Sequence, residues 1–225
     1  MNTPETTLVN VESAHYPPLL LRHPSNPILT RNNWPYSINS VFNAGATLLP
    51  DGTTLLLCRV EDRRGLSHLC AARSSNGVDG WEIDREPTLM PDWKKFPEEI
   101  WGIEDPRITF VPELQQYVVT YTSYSRGGPG VSLALTRDFR SFERYGVIMP
   151  PDDKDSALLP RRIGGNWALI HRPMTALGAT CGFRILPTCA IGEGTGSFSR
   201  LVAAPGGMQI KSDCLLRQLR LPEDG

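Results

Sequence analysis

The chain lacks an excess of either charge. Its 23 lysines and arginines stand against 24 aspartates and glutamates, a formal net charge of −1 over 225 residues. So close a balance leaves no basic face for nucleic acid and no acidic tail. Long apolar runs are missing as well: no stretch approaches the roughly 18–20 residues of a membrane-spanning helix. Residues 1–15 are polar and acidic, without the basic start and apolar core of a secretory leader. Neither membrane attachment nor export is expected, and the expected location is cytoplasmic. The five cysteines form no C-x-x-C pair and no metal-ligand spacing. No metal site is expected, and the thiols are expected to be reduced and mostly buried. Helical periodicity is absent too, and 20 prolines and 20 glycines spread along the chain argue against long helices.

What remains is a pattern of short strands and turns. Residues 1–22 read as a lead-in, and a proline-punctuated segment from His23 enters the domain. Ala44 to Leu49 and Thr53 to Val60 are two strands joined at Pro50-Asp51-Gly52, and Asp-Gly between apolar runs is a strong hairpin signal. Residues 67–74 supply a third strand and residues 81–83 a short fourth. The pattern then recurs: residues 107–110 and 117–122 echo the first hairpin, and residues 130–139 with Phe142-Glu143 echo the later strands. A third copy starts at Ala157 and runs through Asn166 to His171. Strands recurring at intervals of roughly 50 to 65 residues are the signature of a β-propeller. The expected fold is all-β, an incomplete propeller of about three blades over residues 23–179.

After Ala179 the strand period is lost. With free synonym choice, the codons that follow can be read in a frame shifted by one base as the missing strand, turn and tryptophan. Residues 180–225 are therefore expected to be an out-of-frame tail without native structure, after a frameshift near codons 179–180.

The nine residues from Trp101 to Thr109 hold the sharpest chemical signal. Glu104 and Asp105 lie between Gly102 and Pro106, and Arg107 follows. Proline disfavours a helical conformation for the residue before it, so Asp105 is expected to be extended at the mouth of a strand. A fixed carboxylate beside a cation suits acid–base work, while a turn with a surface ion pair is the alternative on these residues alone. Other polar clusters fall at equivalent strand ends: Arg59 to Gly65, Tyr121 to Ser125, Asp152 to Asp155, and His171-Arg172-Pro173. Each also has a plain reading, as a solvated turn, a polar loop or a core histidine. Their recurrence in successive blades favours a funnel that takes a polyhydroxylated ligand and an anion.

Five of these segments, taken in order, resemble glycoside hydrolase family 130, the β-mannoside phosphorylases and related mannosidases. They are Phe42-Asn43, residues 59–65, residues 102–109, Lys154-Asp155 with Leu159-Pro160, and His171-Arg172-Pro173. The resemblance runs from about Asn26 to Ala179 and implies a five-bladed propeller. It also implies inverting phosphorolysis, in which inorganic phosphate attacks the anomeric carbon of a β-mannosyl residue and releases α-mannose 1-phosphate. Asp105 would be the general acid, acting through a sugar hydroxyl. Arg107, Lys154, His171, Arg172 and Arg59 would bind phosphate, and Asn43, Asp62, Asp155 and Tyr121 would bind the sugar. Phosphate is a co-substrate, no cofactor is implied, and the partners are a β-mannoside oligosaccharide and phosphate. A homo-oligomer stays open. The truncated chain is expected to be impaired, and the alternatives are a phosphate-independent β-mannosidase or a non-catalytic carbohydrate-binding or inactive fragment.

Overall fold

The computed structural model describes residues 21–175 and 178–186. They build three sheets. The first contains β1 (Ser40–Leu48), β2 (Thr54–Glu61), β3 (Ser67–Ser74) and β4 (Glu82–Ile83), hydrogen-bonded in chain order. The second repeats this meander with β5 (Ile103–Val111), β6 (Gln116–Ser125), β7 (Gly128–Thr136) and β8 (Glu143–Met149). The third is built around β10 (Trp167–Thr175). This strand pairs with β9 (Asp153–Leu158), with the two-residue β11 (Gly178–Ala179) and with β12 (Gly182–Leu186). The first strands of successive sheets lie against one another, β1 on β5 and β5 on β9. This is the blade arrangement that the repeat requires, and three of the five sheets that the resemblance implies are present among the described residues.

Alternation within each strand glues the sheets together. On β6, Tyr117, Val119 and Tyr121 face the first sheet and pack with Leu55, Leu57, Leu69 and Phe139. Val118 points the other way, into a second core with Leu133, Leu158, Trp167 and Leu169. A period of two is the consequence of side chains leaving opposite faces of a pleated strand, so the central sheet is buried on both sides. The outer face of the first sheet is also covered, because Leu29, Trp34, Tyr36 and Ile38 of the proline-rich entry segment pack on Cys58, Val60 and Cys70. Burial there pushes the Cys58 thiol up to about 12, in keeping with an inert, reduced cysteine.

The expected break in structure after Ala179 is placed one strand too early. Gly182–Leu186 pairs with β10 in continuous register, from Trp167↔Leu186 to His171↔Gly182. Its signal was hard to see because Phe183, Arg184 and Ile185 are all exposed and only Leu186 is buried, so no alternation is written into the segment. Residues 187–225, with the remainder of the expected tail, lie outside the described residues, as do most of residues 1–22.

Candidate active site

One backbone irregularity occurs three times. Between β1 and β2 the pairing runs from Phe42↔Arg59 to Gly45↔Leu57, so the first strand takes three steps where its partner takes two. The same shift separates Glu104↔Thr122 from Arg107↔Thr120, and Lys154↔Arg172 from Ala157↔Ile170. These are β-bulges at equivalent points of the three first strands. The residue after each opening pair is Asn43, Asp105 or Asp155, with φ of +46°, +50° and +51°. Left-handed backbone outside glycine costs on the order of 1 kcal/mol or more, and it tends to persist where it aims a functional side chain. Asp105 is therefore in β5, as expected, but left-handed rather than extended: the bulge overrides the preference that Pro106 imposes.

The bulges meet. Gly45 lets β1 close on β5, since a Cβ there would stand 2.7 Å from the Pro106 carbonyl oxygen. Asn43 Nδ2 then donates to Asp105 Oδ1 at 3.1 Å, and Arg59 Nη1 donates to the same oxygen at 3.1 Å. Arg59 also donates from Nη2 to Glu104 Oε1 at 3.0 Å and from Nε to Ser67 Oγ at 2.9 Å, and its guanidinium lies 4.5 Å from the centre of the Phe42 ring. Asp105 is buried, at 6% exposure. Glu104, to which the sequence assigns no role of its own, shares the same arginine. Burial pushes the Glu104 carboxyl above the usual glutamate range and Asp105 adds to this, while Arg59 and Lys154 oppose it.

Cations gather beside this pair. Arg172 donates to Asp155 Oδ2 from Nε at 2.7 Å and again from Nη2. Arg107 approaches the other oxygen of Asp155 from β5, with Nη2 3.8 Å away. Arg172 is the structural counterpart of Arg59, since each faces the residue that opens its bulge. Lys154 follows Asp153 on β9, close enough for its charge to act on Glu104. His171 is on the neighbouring strand, and its Nδ1 is 2.6 Å from Oδ2 of the buried Asp153. Asn43, Arg59, Asp105, Arg107, Lys154, Asp155 and Arg172 thus form one polar cluster, with His171 at its margin.

Two expected ligands are placed elsewhere. Tyr121 is core: its ring packs between the first two sheets, and its hydroxyl donates to Glu99 Oε1 at 2.8 Å. The signal that misled was its place at a strand end, when its alternation with Val119 and Tyr117 already assigned it to the inner face. Asp62 closes the β2–β3 turn, accepting from the backbone N–H groups of Arg64 and Leu66 and from the Arg64 guanidinium. Asp155 is in the cluster, with one carboxylate oxygen held by Arg172 and the other facing Arg107.

The sequence profile of the β-1,4-mannooligosaccharide phosphorylases, glycoside hydrolase family 130, matches residues 21–180. The chain belongs to this family. It is 29% identical over 160 residues to a β-1,4-mannooligosaccharide phosphorylase of Ruminococcus albus, an alignment covering 69% of this chain and 47% of that one. It is 35% identical over 109 residues to a β-1,2-mannobiose phosphorylase of Listeria innocua, covering 48% and 29% of the two. Against the structure of β-1,2-mannobiose phosphorylase from Listeria innocua with β-1,2-mannobiose, the TM-score is 0.62 at 22% identity. That superposition takes in 73% of this chain and 65% of the other, and it speaks for the fold alone. The family 130 chain described here spans about half the length of its Ruminococcus albus relative.

Proposed function

We propose that this chain forms the acid-bearing wall of a β-mannoside phosphorylase site. The observation that carries the reading is Asp105: a buried carboxylate held in a left-handed bulge by Arg59 and Asn43, with Arg107, Lys154 and Arg172 beside it. An inverting hydrolase needs a second carboxylate to activate water. Phosphate is already an anion and needs cations to place it, and this cluster is rich in them. An oxygen of phosphate attacks the anomeric carbon as the bond to the leaving sugar breaks. Asp105 gives its proton to a sugar hydroxyl, which passes its own proton to the leaving oxygen, and the products are α-mannose 1-phosphate and the shortened saccharide.

Glu104 is the second candidate for the acid, because it shares Arg59 with Asp105 and burial raises its carboxyl above the usual glutamate range. The test is the release of mannose 1-phosphate from β-1,4- and β-1,2-linked mannosides with and without phosphate. Turnover that needs phosphate and is lost in Asp105→Asn supports the assignment. Turnover in phosphate-free buffer points instead to a mannosidase. Activity that survives Asp105→Asn but not Glu104→Gln moves the acid to Glu104. Saturable mannoside binding without turnover leaves a carbohydrate-binding module.

A further inference from the structure

Five large aromatic side chains are exposed among the described residues, and two of them stand together at the entrance to β5. Trp101 is 41% exposed and Tyr124 38%. Their rings meet edge to face with centroids 5.5 Å apart. The pair extends the β5–β6 hairpin: Trp101 N–H donates to the Tyr124 carbonyl at 2.9 Å, and Tyr124 N–H donates to the Gly102 carbonyl at 3.1 Å. Trp101 is four residues before Asp105 on the same chain, so the two are separated by no more than about 14 Å of backbone.

The segment that presents Trp101 is fixed from both sides. On one side Glu99 is fully buried, accepting from Arg144 Nη1, the Tyr121 hydroxyl and the Asp92 N–H, each at 2.8 Å. A buried carboxylate with three donors is a costly anchor that holds only if every partner stays in place. On the other side Gly102, at φ +106°, packs so closely that a Cβ would lie 2.8 Å from the backbone N and O of Ser67. Ser67 in turn accepts from Arg59, the arginine that grips Glu104 and Asp105. The exposed ring pair and the carboxylate pair therefore belong to one rigid unit. The anchoring keeps apolar rings in solvent, at the end of the strand that carries the acid.

We infer that Trp101 and Tyr124 form a stacking platform for a further sugar residue of a β-mannoside chain, beyond the two that flank the scissile bond. The inference rests on the mannoside reading above for the class of its ligand. Sugar rings present flat C–H faces that pack on Trp and Tyr while their hydroxyls stay hydrated, a match for amphipathic rings at a wet rim. Such a platform rewards longer substrates over the disaccharide and makes chain length the property that it controls.

The test measures affinity in an Asp105→Asn background, which blocks turnover, using β-1,4- and β-1,2-linked mannobiose and mannotetraose. The tetrasaccharide is expected to bind about five- to tenfold tighter than the disaccharide of its preferred linkage. Trp101→Ala should bring that ratio close to one, Tyr124→Ala should lower it, and Trp101→Phe should keep most of it. Because both rings are exposed, a thermal melt matching the background chain verifies that each variant is folded. A ratio unchanged by Trp101→Ala overturns the platform, and so does the absence of mannoside binding. The outcomes separate from those of the functional reading. A length preference lost in Trp101→Ala, in a chain that turns nothing over when Asp105 is intact, keeps the platform and removes the phosphorylase. Phosphate-dependent turnover with an unaltered length preference does the reverse.

Discussion

The two ends of the sheet stack meet the same physical demand in opposite ways. A sheet with two apolar faces needs a cover on both. At the first sheet the cover is supplied locally: Trp34, Tyr36 and Ile38, from a segment stiffened by prolines, close over Cys58, Val60 and Cys70. At the third sheet the outward face is open among the described residues. Ile170 and Phe183 pair directly across β10 and β12, with Ile185 two residues on, and they are 43%, 54% and 43% exposed. The inner face of that same sheet, with Leu158, Trp167 and Leu169, is fully part of the second core. Stability should therefore be concentrated toward the covered end, and the two ends should answer differently to equivalent substitutions.

The largest contrast is expected at Trp34, which is 7% exposed. Trp34→Ala opens a cavity over β2 and β3 and should cost about 3–5 kcal/mol in a urea melt. A loss below about 1 kcal/mol would mean that the entry segment lies on the sheet without stabilising it.

The next contrast is between structural counterparts. Arg59 and Arg172 occupy the same place in their blades, but their side chains are 15% and 37% exposed. Removing Arg59 leaves Glu104 and Asp105 side by side without their shared cation, and Arg59→Ala should cost about 2–3 kcal/mol. Arg172→Ala breaks a pair open to solvent and should cost no more than about 1 kcal/mol. Equal costs would show that the third blade holds its site as firmly as the first.

These contrasts also separate what could be read in the sequence from what could not. The hairpin at Asp51-Gly52 and the recurrence of strand patterns announced the sheets. Charged clusters at equivalent strand ends announced the polar cluster, and Asn43, Arg59, Asp105, Arg107, Lys154, Asp155 and Arg172 do come together. The bulges were not legible: Asn and Asp tolerate positive φ better than other residues with a side chain, but they are as common in ordinary turns, and at Asp105 the following proline argued for the opposite. Tyr121 was misplaced because a strand end says which rim a residue approaches, whereas the face is set by alternation. Asp62 was misplaced because a carboxylate after a strand serves turn closure as readily as ligand binding. β12 was missed because an open edge strand needs no alternation. β12 occupies part of the stretch assigned to the shifted frame, and the rest of that stretch, residues 187–225, lies outside the described residues.

A pH contrast sharpens the picture at the junction of the first two blades. Burial raises the Glu104 carboxyl above its ordinary value of 4.5. A group raised in the folded state contributes stability that is fully present below its unfolded value and is lost as pH rises through the folded value. Glu104→Gln removes this dependence. Its stability relative to the parent chain should therefore improve between pH 4 and pH 7, in paired thermal melts. A difference that stays flat over this range, or worsens toward pH 7, would mean that Arg59 outweighs the burial of Glu104.

The smallest thermodynamic effect is expected at the open face. Phe183→Lys and Ile185→Lys replace rings and branches that already stand in water, so each should alter stability by no more than about 0.5 kcal/mol. Their effect should appear instead in association, because an apolar face beside an edge of β12 that no described strand pairs is a template for another chain, and a lysine there opposes such pairing. Light scattering at matched concentration should fall in both variants and further in the pair. If Phe183→Lys instead destabilises the fold by 2 kcal/mol or more, the outward face of the third sheet is covered after all. The contrast between the two ends would then disappear.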